Sequence, residues 1–320
     1  MNTSDILVTI HCITYNQEKY IGQAIESFLK QKTSFLYEVV VYDDASSDET
    51  PEIVLKYARQ NPDIIKPILS KENQYSKGGF KKVFDVIEPM ISGKYIAFCD
   101  GDDYWIDSYK LQKQVDILES QPNAMMVYTN YETVDECGIP FYRKEYEKKY
   151  KSKSHSGDIL PELIKDNFPL HSTTMYRREV IISDFVKECP VLLDYLLSVS
   201  AAFKGDVYYL PEKTVSYRCS PGSFMQTKQD FVLKAYEVIQ PYIYKAYALG
   251  ISKKEPKHID SNIKKHIVDY AWYLKSCGIN SNFIEELIEI DFGMLKYLVP
   301  LFVNDYKNRI IFKIKRIWKN

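Results

Sequence analysis

The chain has 320 residues, enough to bury a full core as one large domain or as two. It carries 42 Lys plus Arg against 43 Asp plus Glu, a formal net charge of -1, so no global field draws it to nucleic acid or to an anionic surface. Its 6 cysteines form no C-x-x-C pair and several lie inside apolar runs, which argues against a disulfide framework or a zinc site and for a reduced, cytoplasmic setting.

No basic-then-apolar leader opens the sequence, and no apolar stretch is long enough to span a bilayer. Residues 6–10 are a short β-branched run that reads as a buried strand, broken at Thr14-Tyr15-Asn16-Gln17. Apolar residues at Tyr20, Ile21, Ala24, Ile25, Phe28 and Leu29 recur at helical spacing over 20–30. A second strand, 38–42, stops at Asp43-Asp44-Ala45-Ser46-Ser47-Asp48-Glu49-Thr50, a turn rich in helix-capping residues, and a helix follows over 52–59. Residues 66–70 read as a short third strand, 73–79 as a polar loop, 80–91 as a helix and 95–99 as a fourth strand. Beyond it lie a helix at 110–119 and a strand near 124–128. Residues 143–157 read as a charged loop, either simply solvated or serving as a lid. A short helix at 160–165, a strand at 171–177, a helix at 191–203 and two strand pieces at 207–210 and 214–218 complete the pattern. From about residue 231 the spacing is helical, which places a boundary near 225 between a region 1–225 and a helical region 226–320.

Strands alternating with helices predict βαβ units, an α/β fold and a mostly parallel sheet flanked by helices. In such sheets ligands sit outside the carboxyl ends of the strands. The polar clusters Thr14 to Asn16, Asp43 with Asp44, and Asp100 to Asp103 all fall there. The last is the most informative. Asp100-Gly101-Asp102-Asp103 sets three carboxylates at a strand end, where their repulsion is tolerated mainly if water or a cation offsets it. Asp100 and Asp102 are two apart and point the same way in an extended chain. Carboxylate oxygens suit a hard divalent ion that keeps some waters and shares its shell with substrate phosphates. A metal-bound nucleotide is the reading these residues support.

Four segments in order and spacing resemble inverting glycosyltransferases of family 2, which have the GT-A (Rossmann-like) fold. They are Thr14-Tyr15-Asn16; Val41-Tyr42-Asp43-Asp44-Ala45-Ser46-Ser47-Asp48-Glu49-Thr50; Phe98-Cys99-Asp100-Gly101-Asp102-Asp103-Tyr104-Trp105; and Leu193-Asp194-Tyr195 with Phe203-Lys204-Gly205, Leu210-Pro211-Glu212 and Tyr217-Arg218. The likeness covers roughly residues 5–220. It implies that Tyr15 and the backbone at Thr14 flank the nucleotide base, with Asn16 beside them, and that Asp43 and Asp44 sit at the uracil or ribose. It also implies that Asp100 and Asp102 are the D-x-D pair holding a divalent ion, with Gly101 between them at the donor, and that Asp194 is the catalytic base. Many relatives carry Ala-Arg-Asn near the third helix; here the segment reads Lys77-Gly78-Gly79-Phe80-Lys81-Lys82, and Lys77 is the candidate for the missing positive charge. The base, often preceded by Glu or Gly in the family, here follows Leu192-Leu193.

The implied function is metal-dependent (manganese or magnesium) transfer of a sugar from a nucleoside diphosphate, a UDP-sugar, to a hydroxyl of a glycan or lipid-linked acceptor. The implied setting is surface-polysaccharide assembly such as capsule or O-antigen, with one sugar moved per encounter. The cation addresses the charge on the leaving diphosphate, and a carboxylate beyond the anomeric carbon deprotonates the acceptor, so in-line attack inverts that centre.

Blander readings stand beside these. Asp43 and Asp44 could cap a helix, Asp100 to Asp103 could be a solvated turn, and Asp194 could be an ordinary helix acid. Tyr104 and Trp105 pack a core as readily as they stack a sugar, and His171 fits a core histidine at least as well as a substrate contact. A nucleotidyltransferase would need a Gly-rich loop near the first strand, and residues 11–17 hold no glycine. A non-catalytic glycan- or nucleotide-binding domain is the alternative outside enzymes. At the C-terminus, a helix would gather Ile310, Ile311, Ile314, Ile317 and Trp318 on one face, with Arg309, Lys313, Arg316 and Lys319 elsewhere. That pattern fits peripheral contact with an anionic membrane, or packing on the chain itself or on a second subunit in a homodimer.

Overall fold

The structure, a computed structural model, describes residues 6–142, 144, 154–192, 194–219, 238–244 and 246. The chain divides into two compact units, Met1–Ala235 and Tyr236–Asn320. The basic segment 309–319 and most of the charged stretch 143–153 lie outside the described residues. Among the described residues no helix is long and apolar enough to cross a membrane. In the second unit, residues 238–244 are helical, and Ile239 and Ile243, one turn apart, are both buried.

The first unit is built on one eight-stranded sheet. Its parallel half comes from the strand–helix alternation: β1 (Ile6–Thr14), α1 (Ile21–Leu29), β2 (Leu36–Asp43), α2 (Thr50–Gln60), β3 (Ile65–Leu69), α3 (Tyr75–Ile87) and β4 (Tyr95–Phe98). β1 pairs in parallel with both β2 and β4, and β2 with β3. The central strands are covered on both faces, so Val39, Val40 and Val41 are all buried although successive side chains point to opposite sides.

The other half contains β5 (Tyr104–Trp105), α4 (Lys110–Ser120), β6 (Ala124–Val134), α5 (Leu160–Leu163), β7 (Met175–Arg177), α6 (Arg178–Ile181), α7 (Asp184–Glu188), α8 (Asp194–Lys204) and β8 (Asp206–Arg218). The strand order is β3-β2-β1-β4-β7-β6-β8-β5. β7 runs antiparallel to both β4 and β6, so chain direction reverses there, and β6 and β8 then pair in parallel.

Three local expectations are corrected. Residues 73–79 are not all loop: α3 begins at Tyr75, and Gly79 within it has φ 65, a left-handed conformation glycine adopts without steric cost. Residues 171–177 are not all strand: His171–Thr173 is a 3-10 turn and only Met175–Arg177 pairs in the sheet. The two strand pieces after 206 are one strand, β8, whose pairing with β6 jumps from Leu210 opposite Thr129 to Lys213 opposite Asn130. Pro211, which has no N–H to give a ladder, sits in that bulge and breaks the sequence pattern.

Candidate active site

The acidic loop follows β4 and is fixed by backbone bonds to its neighbours. Gly101 N–H donates to the Ile13 carbonyl at 2.9 Å, and Asp100 N–H donates to Ser172 Oγ at 3.3 Å. The loop presses so closely on the end of β1 that a Cβ at Gly101 would lie 2.5 Å from Gln17 Oε1 and 2.8 Å from Thr14 Cβ. Asp103 faces inward: it is 1% exposed and accepts from Ser172 Oγ at 2.5 Å and from the Arg218 N–H at 2.9 Å. Asp100 and Asp102 remain partly exposed.

Arg218, at the end of β8, clamps this loop. Its buried guanidinium donates to the carbonyls of Asp102 (2.9 Å), Asp135 (3.1 Å) and Glu136 (2.9 Å) and to Gln23 Oε1 (2.8 Å). It stacks against Tyr20 at 4.5 Å and Tyr104 at 5.5 Å.

Burial, then the charges of Asp102 and Asp194, push the Asp100 carboxyl up to about 7. Asp102 is also raised by burial, while its own backbone N–H, Arg218 and Gln17 partly offset the effect. These are the energetics of a site short of positive charge. Among the described residues no group of three or more metal-ligating side chains converges. The two part-exposed carboxylates fit a divalent ion whose remaining shell is diphosphate oxygen and water.

Asp194 is the first residue of α8 and is half-buried. Its carboxylate accepts from Asn167 Nδ2 at 3.3 Å and from the Tyr195 N–H at 2.8 Å. Its field reaches Asp100, adds to burial and Asp100 in raising the Tyr75 hydroxyl, and opposes the burial that lowers His171. Asp100, Asp102, Asp194, Tyr75 and His171 therefore share one electrostatic neighbourhood, although they come from the β4 loop, α8, α3 and the 3-10 turn.

The loops after β1 and β2 are stitched together. Asn16, at φ 51, donates its N–H to Ser46 Oγ (2.8 Å), and its side-chain oxygen accepts from the Ser47 N–H (2.8 Å). Gln17 N–H donates to Thr50 Oγ1 at 2.9 Å, and Glu18 N–H to Asp48 at 3.1 Å. Ala45, at φ 62, holds the left-handed position of the β2 loop. Thr14 is buried with its hydroxyl on Gln17 (2.9 Å), whereas Tyr15 is 48% exposed at the loop tip.

Asp43 accepts from both the N–H (3.0 Å) and the hydroxyl of Ser46. Asp44 turns the other way: it accepts from Tyr42 Oη (3.0 Å) and from the backbone N–H groups of Gln74 (2.8 Å) and Tyr75 (3.0 Å). It thereby caps α3 from a neighbouring strand and sets Tyr75 in place. Lys77, on the first turn of α3, pairs with Glu72, and both side chains are largely exposed.

Sequence reasoning missed Tyr75, Ser172 and the clamping role of Arg218. Tyr75 sat in a stretch read as polar loop, and neither Ser172 nor Arg218 is marked by local spacing. Only the Tyr217-Arg218 dipeptide gave a signal.

Residues 9–185 match the model of the family described as Glycosyl transferase family 2. An uncharacterised protein of Mycobacterium tuberculosis is 34% identical over 212 residues, 66% of this chain and 58% of that protein. The chain thus spans well under two thirds of the length of that relative. WfgD of Escherichia coli, named as a UDP-Glc:alpha-D-GlcNAc-diphosphoundecaprenol beta-1,3-glucosyltransferase, is 35% identical over 135 residues, 42% of this chain and 49% of that protein. Staphylococcus aureus TarS 1-349 in complex with UDP-GlcNAc superposes with TM-score 0.58 at 19% identity, over 91% of this chain and 81% of that one. The mannosyltransferase PcManGT of Pyrobaculum calidifontis, in complex with GDP-Man and Mn2+, gives 0.51 at 15% identity, over 90% and 69%. At these identities the structural likeness is one of fold, and the fold is GT-A.

Proposed function

The chain belongs to glycosyl transferase family 2, and from that premise we propose that it moves a sugar, with inversion, from a UDP-sugar to a hydroxyl of a glycan or lipid-linked acceptor in surface-polysaccharide assembly. What supports this reading is that Asp102 and Asp194 both act on the Asp100 carboxyl, which links the acidic loop after β4 to the head of α8. The UDP specified in the name of WfgD and bound to TarS supports the choice of base.

In this reading the stitched loops after β1 and β2 receive the nucleoside, with Thr14, Tyr15, Asn16, Asp43 and Asp44 forming that wall and Lys77 at its rim. Asp100 and Asp102 would hold a manganese or magnesium ion, which supplies charge neutralisation to the diphosphate as it leaves. Gly101 lets the loop lie close to β1, and Arg218 holds the Asp102 carbonyl and, through its N–H, the Asp103 carboxylate. Asp194 takes the proton from the attacking hydroxyl as that oxygen bonds to the anomeric carbon and the carbon–phosphate oxygen bond breaks. Asn167 orients its carboxylate.

Calorimetry of the full chain with manganese and a panel of UDP-glucose, UDP-N-acetylglucosamine and GDP-mannose tests the donor. Binding of a UDP-sugar, with UDP released on turnover and an inverted product anomer by NMR, is the expected result. A chain that binds none of the three, or that retains the anomeric configuration, contradicts the proposal.

A further inference from the structure

β6 runs into a turn that shows apolar side chains to water. Ile139-Pro140-Phe141-Tyr142 are four successive apolar or aromatic residues, and all four are exposed, Ile139 by 61% and Tyr142 by 67%. An unbroken exposed run of this kind is a liability on a protein surface unless something binds it.

The backbone fixes the run in place. Asp135 Oδ1 accepts from the N–H groups of Cys137 (2.9 Å) and Ile139 (2.8 Å), and Asp135 N–H donates to the Ile139 carbonyl at 3.0 Å. Gly138, at φ 81, takes the left-handed position of the turn. Val134 and Pro140 then form an antiparallel bridge, and Phe141 N–H donates to the Thr133 carbonyl at 3.0 Å. The turn is thus ordered before any partner arrives, which lowers the entropy lost on binding.

The same turn stands beside the acidic loop. Arg218 Nη1 donates to the Asp135 and Glu136 carbonyls while Arg218 Nε donates to the Asp102 carbonyl, so one guanidinium joins the two. A Cβ at Gly138 would lie 3.7 Å from Tyr104 Oη. In sequence the run is continued by Arg143, Lys144, Lys148, Lys149, Lys151 and Lys153 against Glu145 and Glu147, a local positive excess in a chain whose formal net charge is -1. Apolar and aromatic residues followed by basic ones match a bilayer with anionic headgroups.

Resting on the transferase reading above for the choice of occupant, we propose that the run 139–142 is a membrane contact. Ile139 and Tyr142 enter the headgroup region of an anionic bilayer, and the acidic loop is held at the surface where a lipid-linked acceptor lies. A contact this short gives weak, reversible binding, so it acts together with any other attachment the chain has.

The test uses the full chain and vesicles of phosphatidylglycerol and phosphatidylcholine, with no sugar nucleotide present. Cys137, exposed in the turn, carries a bimane label, with Cys219→Ser and Cys277→Ser introduced so that it alone reacts; Cys12, Cys99 and Cys189 are buried. The label should shift to the blue on vesicles and be quenched by brominated phospholipid. Ile139→Ser with Tyr142→Ser should lower the partition coefficient about tenfold or more at an unchanged thermal midpoint. Val86→Ser with Met90→Ser removes two comparably exposed apolar residues beside Asp85 and Glu88, and should leave partition unaltered. A label that stays in water on vesicle-bound chain overturns the assignment, and needs no variant of the run to fold. So does equal partition of the Ile139→Ser, Tyr142→Ser chain and wild type, or an effect of that pair on self-association alone. Failure of the transferase reading is a separate result, seen as a chain that binds no sugar nucleotide.

Discussion

Asp194 and Lys110 are both charged residues set among apolar neighbours, and the protein uses them in opposite ways. Asp194 is half-buried, with one side-chain donor, Asn167, and lies within the field of Asp100. Asp194→Asn keeps the shape and removes the proton acceptor, so transfer should fall by about a thousandfold or more while UDP affinity stays within a few-fold. Turnover within tenfold of wild type would remove Asp194 from the chemistry. Lys110 is fully buried, bonded to Gln114 Oε1 at 2.7 Å and poised 4.2 Å from the Trp105 ring. Burial lowers it to about 7, an effect that the neighbouring Cys99 and Asp107 only partly oppose. The unfolded chain keeps this proton to about pH 10.4, so between pH 7 and 10 the unfolded state binds more protons, and this group's contribution to stability rises with pH. Below pH 7 the penalty is full. Against Lys110→Met, wild type should therefore gain a few kcal/mol of relative stability from pH 7 to pH 10, read by urea unfolding at each pH. A flat difference would mean that the folded Lys110 keeps its ordinary affinity for the proton.

At the scale of elements, what the sequence made legible was the ends of strands. The breaks at Thr14, Asp43 and Asp100 were readable because polar runs interrupt β-branched ones, and each marks a strand terminus in the structure. What stayed hidden depends on partners distant in the chain. α3 starts at Tyr75 because the Asp44 carboxylate, 30 residues earlier, bonds the Gln74 N–H, and no local residue advertises that cap. β8 hid its continuity because its bulge is set by register against β6. Asp103, indistinguishable from Asp102 in the sequence, is turned inward by Ser172 and by the backbone of Arg218. Gly101, by contrast, was visible, but its reason was not: a side chain there meets Gln17 at 2.5 Å. Gly101→Ala should push the acidic loop off β1 and weaken manganese-dependent UDP binding about tenfold or more, measured by calorimetry, with a smaller change in binding without metal. Unaltered binding would mean the loop yields freely.

At the scale of the molecule, the proposed donor site joins loops from β1, β2 and β4, so a ligand gripping all of them should hold the first unit together. UDP with manganese at a hundredfold excess over its dissociation constant should add about 2.7 kcal/mol to folding, visible as a rise in thermal midpoint. Asp102→Ala should leave the free protein's midpoint nearly unchanged and abolish the part of that rise that needs manganese. An equal rise in the variant would place the cation elsewhere. The basic segment 309–319 poses a separate question, answered by liposome flotation: retention on anionic vesicles by the full chain, lost on removal of residues after 305, is the expected result of a membrane-facing helix.

The reversal of chain direction at β7 divides this unit in the order of translation. Every residue assigned to the nucleotide and its cation lies before it, and the base enters only with a helix that follows. A graft exchanging the chain beyond β6 for that of a relative carries a new acceptor preference with the donor pocket intact only where Ser172 and Arg218, which fasten the acidic loop from beyond that seam, are kept.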